Sequence, residues 1–412
     1  MPRSPQPLSS AVPARFDEEY ARALRGLRSA LDALLRAAGG DPGRPQDLAR
    51  RFGLNKNLAW KASRLVGSEE PSAALRFIPG ASGMAILRQR LKGAGETALQ
   101  DFDRARARFD AMLARHAGDR ATLEMMVSSV AAEGPDPVAL LQSRRQAFLG
   151  NAAVFGVQTR VQHVVYGLGP SRTAPGHAEL VLAMGLVDFR RTRSDARWLL
   201  STLQSFQAED GSLALPEYAF LEEPGADTGG VPLLREFCSL PLPKVEVRRY
   251  EKELRYELPG GAIGNQSRQT CYFGVMNRAA GPSTSSEPGA HCELATNLLT
   301  PAEILQFDLL IDERLGWRAA PTAGLYGRMD GRPPYGAEER VGRNLCLTER
   351  PLDLGLGLEG STSSHVARCR ELIGDVLQRS GMESQHCRTW RLTLAYPPTP
   401  ATLILGVELP RP

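Results

Sequence analysis

The feature that most constrains this chain is a change of hydrophobic period near residue 156. Ahead of it, apolar residues recur every three or four positions, the spacing that gives a helix one buried face. Behind it, apolar and polar residues alternate, as in half-buried strands. Phe16, Tyr20, Leu24, Leu27, Leu31, Leu34 and Leu35 form one stripe that predicts a helix over about 16–38, ended by Gly39-Gly40. Further helices are predicted over about 84–92, 96–116, 121–132 and 137–155, with Phe102, Phe109, Met112 and Leu113 on one face of the second.

In the rear part, "VQTRVQHVVY" (157–166), "KVEV" from Lys244, "LRYEL" from Leu254 and "TWRLTLAY" from Thr389 read as strands. In the last of these Trp390, Leu392, Leu394 and Tyr396 share a face, and 402–409 reads as a buried strand. One helix is predicted there, from Ser364 as N-cap to Arg379, with Gly381 as its stop. The Gly/Pro/Ser-rich stretches 279–290 and 321–339 read as loops, and 208–232 as an internal boundary. The expected fold class is therefore a multidomain α+β protein. A tail (1–15) precedes a helical helix-turn-helix domain (16–92) and a helical connector (93–156). A larger mixed α+β domain, sandwich-like, follows (157–412).

The period change coincides with a change of charge. Residues 1–120 carry 21 Lys/Arg against 13 Asp/Glu, and the remainder carries 29 against 33, so a basic front adjoins a mildly acidic rear. A polyanion is the expected partner of the front. The longest apolar run, Leu180 to Val187, is far short of a bilayer span, and the opening MPRSPQPLSSAVPAR lacks the apolar core of a secretory signal. The six cysteines contain no C-x-x-C pair and read as reduced thiols, so a cytoplasmic protein without a metal or other cofactor is expected.

Within the basic front, "PQDLARRFGLNKNLAWKASRLV" (45–66) is the most informative stretch. Pro45 suits the first turn of a helix, Leu48, Ala49 and Phe52 make its apolar edge, and Gly53 stands where a sharp turn needs positive φ. Leu54 plugs the corner and Asn55 can cap a second helix. On that helix Asn57, Trp60, Lys61 and Arg64 fall at i, i+3, i+4 and i+7, while Leu58, Ala59, Ala62, Leu65 and Val66 lie largely opposite. The stretch resembles the helix-turn-helix of bacterial transcriptional regulators, many of them winged-helix. The matching residues are Ala49, Gly53, Leu54, Ala59 and Ala62. Residues 67–83 do not alternate as the hairpin of a wing would.

The resemblance implies a second helix lying in the major groove of double-stranded DNA. Lys56, Lys61 and Arg64 would meet phosphate or guanine edges, Asn55 and Asn57 would read adenine, and Trp60 would face the duplex. Arg44, Arg50 and Arg51 would lean on the backbone. Six Lys/Arg against one Asp between Arg44 and Val66 suit that role. A homodimer is expected from the symmetry of such sites, with a small-molecule or protein effector at the rear domain. The alternative is a scaffold that uses the helical hairpin only for packing. A third reading is an enzyme with its site in the rear part.

Other patterns carry less. "GLGLEG" (355–360) satisfies G-x-G-x-x-G but follows "TERPLDL" instead of a buried strand. His291-Cys292 and His386-Cys387 would have to converge to bind zinc. Asp308 and Asp312 form a carboxylate pair if their segment is helical; on a strand they share a face about 13 Å apart. G-x-S-x-G is absent, so no catalytic residue is assigned.

Overall fold

The leucine stripe at the start of the chain builds the first helix as its spacing dictates. The structure, a computed structural model, describes residues 15–68, 71–130, 137–204, 206–207, 213–214, 218–225, 231–250, 253–329 and 335–412. It divides into two compact units, 1–136 and 137–412. Most of the tail expected over 1–15 lies outside the described residues.

The first unit is helical: α1 (Phe16–Ala37), α2 (Pro45–Phe52), α3 (Lys56–Gly67), α4 (Pro71–Ala74), α5 (Ala81–Arg90), α6 (Glu96–His116) and α7 (Arg120–Val130). Leu24, Leu27, Leu31, Leu34 and Leu35 of α1 are fully buried with Leu48, Leu65, Leu87 and Phe102 in one core. Removing each such side chain from water contributes about 1.5–3 kcal/mol, which anchors α2 and α3 against α1. The stretch expected as a connector (93–156) divides: α6 and α7 contribute Leu99, Phe102, Phe109, Met112 and Leu123 to this core, whereas the next helix belongs to the second unit. Between 71 and 83 the chain forms α4, a 3-10 turn over Leu75–Phe77 and the start of α5, so a wing hairpin is absent among the described residues there.

The second unit opens with α8 (Pro137–Phe155) and continues as β1 (Val157–Pro170), β2 (His177–Arg191), β3 (Trp198–Gln204), β4 (Phe206–Gln207), β5 (Leu213–Ala214), β6 (Tyr218–Phe220), β7 (Glu246–Arg249), β8 (Glu253–Leu258), β9 (Gln269–Pro282), β10 (His291–Leu298), β11 (Ala302–Asp312), β12 (Thr322–Gly327), α9 (Ala337–Arg340), β13 (Asn344–Leu345), β14 (Leu352–Leu356), α10 (Cys369–Ser380), β15 (Cys387–Ala395) and β16 (Ala401–Glu408). The main sheet has seven strands in the order β14-β15-β11-β1-β2-β9-β6. It is antiparallel except where β1 and β11 run parallel at its centre. A four-stranded sheet, β10-β16-β12-β13, packs on one face. Val164, Tyr166, Phe307, Leu309, Trp390 and Leu392 meet Leu294, Leu325, Leu403 and Leu405 there. Helix α10 covers the other face through Leu372, Ile373, Val376 and Leu377, against Val161, Val165, Val181 and Leu310. The sandwich-like reading of the rear part is thus a sheet covered by a second sheet on one side and a helix on the other.

Several local expectations change. The helix expected from Ser364 begins at Cys369, because Ser363 Oγ accepts the N–H groups of His365 (3.0 Å) and Val366 (3.2 Å) and closes a turn first. Gly381 does stop it, at φ +75°. Residues 279–282 extend β9, and 322–327 form β12, so the two Gly/Pro-rich loops are shorter than their composition suggests. Tyr396 leaves the face of Trp390, Leu392 and Leu394 at φ +48°. The segment holding Asp308 and Asp312 is a strand, which settles the helix-or-strand alternative. The proposed boundary at 208–232 falls partly outside the described residues.

Candidate functional site

Two sets of side chains stand out, one on each unit. The first is the outer face of α3. Gly53 ends α2 at φ +59° and ψ +37°, a left-handed conformation that glycine adopts without penalty. Leu54 is buried in the corner, and Asn55 caps α3 by accepting the Asn57 N–H at 2.8 Å. Ala59, Ala62 and Leu65 are fully buried, and Arg28 of α1 donates to the Val66 carbonyl at 3.1 Å, holding the helix at both ends. The opposite face is open. Lys56, Asn57 and Arg64 are exposed, Trp60 is 43% exposed and Lys61 half-buried. Among the described residues, Lys56, Lys61 and Arg64 carry no ion pair.

The remaining residues of the set are placed differently. Arg44 lies 3.5 Å from Asp41 and Arg50 4.0 Å from Asp47, exposed pairs worth little. Arg51 is exposed with its guanidinium 5.8 Å from the Phe52 ring. The cap occupies the Asn55 side-chain oxygen, so Asn55 lacks the free amide that the expected two-bond adenine contact needs. Trp60 stacks edge-on against Phe77 (5.3 Å, 85°), with Arg64 over Trp60 at 5.9 Å and Arg76 over Phe77 at 4.9 Å. Phe77 and Arg76 were not anticipated, since 67–83 lacks the alternation of a hairpin and was assigned no element.

The second set is buried on the α10 face of the main sheet. Strand register lines up Tyr272 (β9), Gly185 (β2), His163 (β1) and Gln306 (β11) in one row. One step along β11, Asp308 faces Arg391 of β15. His163 Nδ1 lies 2.9 Å from the Tyr272 hydroxyl and its Nε2 2.8 Å from Asp308 Oδ2. Arg391 Nε donates to Asp308 Oδ1 (2.6 Å), and Gln306 Nε2 to Asp308 Oδ2 (2.7 Å). Cys369, the first residue of α10, lies 4.0 Å from Asp308 Oδ2 and accepts from Gln306 and Arg391, each at 3.4 Å. His163, Gln306 and Asp308 are fully buried.

The electrostatics follow from that enclosure. Burial raises the Asp308 carboxyl, but His163 and Arg391 outweigh it and hold it below the usual carboxylate range. An ionised Asp308 can only accept, so His163 donates to it from Nε2, with the Tyr272 hydroxyl beside Nδ1. Burial, then the Asp308 charge, push the Cys369 thiol up to about 12. Burial likewise pushes the Tyr272 hydroxyl well above its ordinary value. Every hydrogen-bonding atom of the His163 ring and of the Asp308 carboxylate is met, as a buried polar network requires.

The sequence-level candidates in this unit do not assemble. Asp312 turns to Arg314 (2.6 Å), apart from Asp308. His291 bonds the Gly289 carbonyl and His386 faces Glu383, while Cys387 is buried, so the two His-Cys pairs do not converge. All six cysteines are free thiols. The G-x-G-x-x-G stretch ends β14 and enters a 3-10 turn (Glu359–Ser361).

No family model matches the chain, and no curated protein matches it significantly. Among solved structures it is similar to a putative protease from Parabacteroides distasonis ATCC 8503, at 9% identity and a TM-score of 0.24, over 61% of this chain and 40% of that one. It is also similar to an M1 zinc metallopeptidase variant from Deinococcus radiodurans bound to a Tyr-Ser-Ala substrate, at 11% identity and a TM-score of 0.22, over 61% and 42%. The chain thus spans about two-fifths of the solved chains it matches, and likenesses this slight carry no argument. No described helix is long and apolar enough to cross a membrane.

Proposed function

We propose that the helical unit binds double-stranded DNA through the outer face of α3, as part of a sequence-specific transcriptional regulator. The observation that carries this reading is the division of α3 into two faces. Ala59, Ala62 and Leu65 fasten it to the core, while the other side presents the Asn57 amide beside Lys56, Lys61 and Arg64, which carry no ion pair among the described residues. Unneutralised cations gathered on one exposed helix gain most from a polyanion, because each phosphate they meet releases condensed counterions. Asn57 is the residue whose amide can hold an adenine edge, and Arg64 the one that can hold guanine. Arg90, beside the Gly53 corner, adds a further cation near the helix entrance.

The test is binding of the full chain to mixed genomic fragments at several salt concentrations, followed by fluorescence anisotropy. Affinity is expected to fall steeply with salt. The Lys61→Ala/Arg64→Ala pair is expected to flatten the log–log slope by about 2, from roughly 0.9 per phosphate contact. Absence of binding, or an unchanged slope in the double variant, would leave the hairpin as a packing module only.

A further inference from the structure

We propose that His163 Nε2, Asp308 Oδ2 and Cys369 Sγ form a binding site for a divalent cation of the zinc class. These three atoms lie within 4.8 Å of one another, contributed by β1, β11 and the first turn of α10. Ligand atoms around tetrahedral zinc, at about 2.0–2.3 Å from the metal, stand roughly 3.3–3.8 Å apart. The separations of 2.8 Å (His163 to Asp308) and 4.0 Å (Asp308 to Cys369) straddle that span, with all three atoms inside 4.8 Å, so the cation draws His163 and Cys369 together and opens the short His163–Asp308 bond. One imidazole, one thiolate and one carboxylate suit zinc or cobalt, and exclude the all-oxygen shells of magnesium and calcium.

Gln306 marks the centre. Its amide nitrogen is 2.7 Å from Asp308 Oδ2, 3.4 Å from His163 Nε2 and 3.4 Å from Cys369 Sγ, so one N–H₂ group touches all three ligand atoms. A partial positive charge therefore already sits where a full one would. The cation enters as that amide withdraws; Ser363 Oγ, which now donates to Gln306 Oε1, is the anchor on its other end. Tyr272 supports either state of the imidazole. Its hydroxyl donates to Nδ1 in the metal-free protein and accepts from Nδ1–H once Nε2 turns to the metal, the arrangement that orients metal-bound histidines. On binding, the cation displaces the Cys369 thiol proton to solvent, against the burial and the Asp308 charge that favour the thiol, so binding weakens as pH falls. Arg391, 2.6 Å from Asp308 and 3.4 Å from Cys369, offsets the two anionic ligands, which sets the affinity below that of an all-cysteine site.

Titration of the full chain with cobalt(II) tests this, because thiolate ligation gives a charge-transfer absorption that nitrogen and oxygen ligands lack. One equivalent is expected to bind with that band, and zinc is expected to displace it. Cys369→Ser should abolish the band, and His163→Gln should weaken binding at least tenfold. Gln306→Ala, with the central amide gone, should bind at least tenfold tighter. The proposal is overturned if neither the unaltered chain nor Gln306→Ala shows the band, or if the band survives undiminished in Cys369→Ser. Because a buried histidine is a risky replacement, the decision rests on the unaltered chain, Cys369→Ser and Gln306→Ala, each checked for native circular dichroism.

Discussion

Gly185 shows how one missing side chain shapes the buried network. The Tyr272 ring crosses β2 over this glycine to reach His163, and a Cβ there would fall within 3.0 Å of three of its carbons. The position is set by packing; its backbone is ordinary strand, paired on both sides. Gly185→Ala is therefore expected to push the ring aside and unmake the Tyr272–His163 bond. Overpacking costs roughly 1–3 kcal/mol, and an orphaned buried polar group roughly as much again. Tyr272→Phe removes only the hydroxyl, and the His163 Nδ1 it leaves unmet costs about 1–3 kcal/mol. Urea unfolding of the two variants separates these terms: Gly185→Ala should be the less stable. An alanine variant as stable as the parent would mean that the ring does not depend on the gap. Such a residue is silent in sequence, since the glycine and the tyrosine are 87 positions apart and no local pattern joins them.

At the scale of elements, legibility followed the range of the interaction. The α2–α3 corner could be read because each of its signals is local: Pro45 opens a helix, Gly53 turns left-handed, and Asn55 caps the next helix. The outward stripe of α3 was legible for the same reason, as a single helix fixes positions 57, 60, 61 and 64 relative to one another. Strand β11 was not, because it is buried on both faces and its apolar residues, interrupted by Gln306 and Asp308, fit helix and strand alike. The His163–Asp308–Cys369 set required the register of β1 against β11 and the placement of α10, neither of which a period reports. Register also creates the bridge at the other end of β1, β2 and β9. There Asp188, at φ +55°, accepts from Arg268 at 2.9 and 2.8 Å and from Arg160 at 2.6 Å. The Arg268 hydrogen bond, with Arg160 aiding it against burial, holds this carboxyl below its ordinary value near 3.8. A group whose folded pKa is depressed stabilises the fold fully above its unfolded pKa, and that contribution fades as pH falls through the folded one. Asp188→Asn, which tolerates the left-handed backbone, is expected to be less stable than the parent at pH 6 by about 1 kcal/mol, since both arginines are substantially exposed. The gap should close as pH drops below about 4. Urea unfolding at pH 6 and pH 3 measures it, and a gap that widened in acid would reverse the sign of the argument.

Across the whole molecule, the change of period near residue 156 is the division that matters most. It falls close to the boundary between the two compact units at 136–137, displaced by the length of α8. The displacement has a physical cause. Helix α8 reads as a continuation of the helical front, yet its buried residues, Arg144, Phe148 and Ala152, serve the second unit. Arg144 pairs with Glu349 at 2.7 Å and donates to the Cys346 carbonyl at 2.8 Å, and Phe148 lies against Tyr396. Helical period identifies an element without saying which core it joins. Each unit carries a core of its own: a leucine-rich helical one around Leu31, and a sheet-based one around Leu309. A domain with its own core unfolds as its own cooperative step. Scanning calorimetry of the full chain is therefore expected to resolve two transitions. Leu31→Ala and Leu309→Ala remove fully buried leucines, a change that costs roughly 2–5 kcal/mol each. Each should lower one transition and leave the other in place. If both substitutions moved a single common transition, the two cores would be one cooperative body, and a ligand bound by α3 would stabilise the sheet unit as well. If they move separate transitions, DNA should raise only the helical one and zinc only the other, so the same measurement assigns each proposed ligand to its unit.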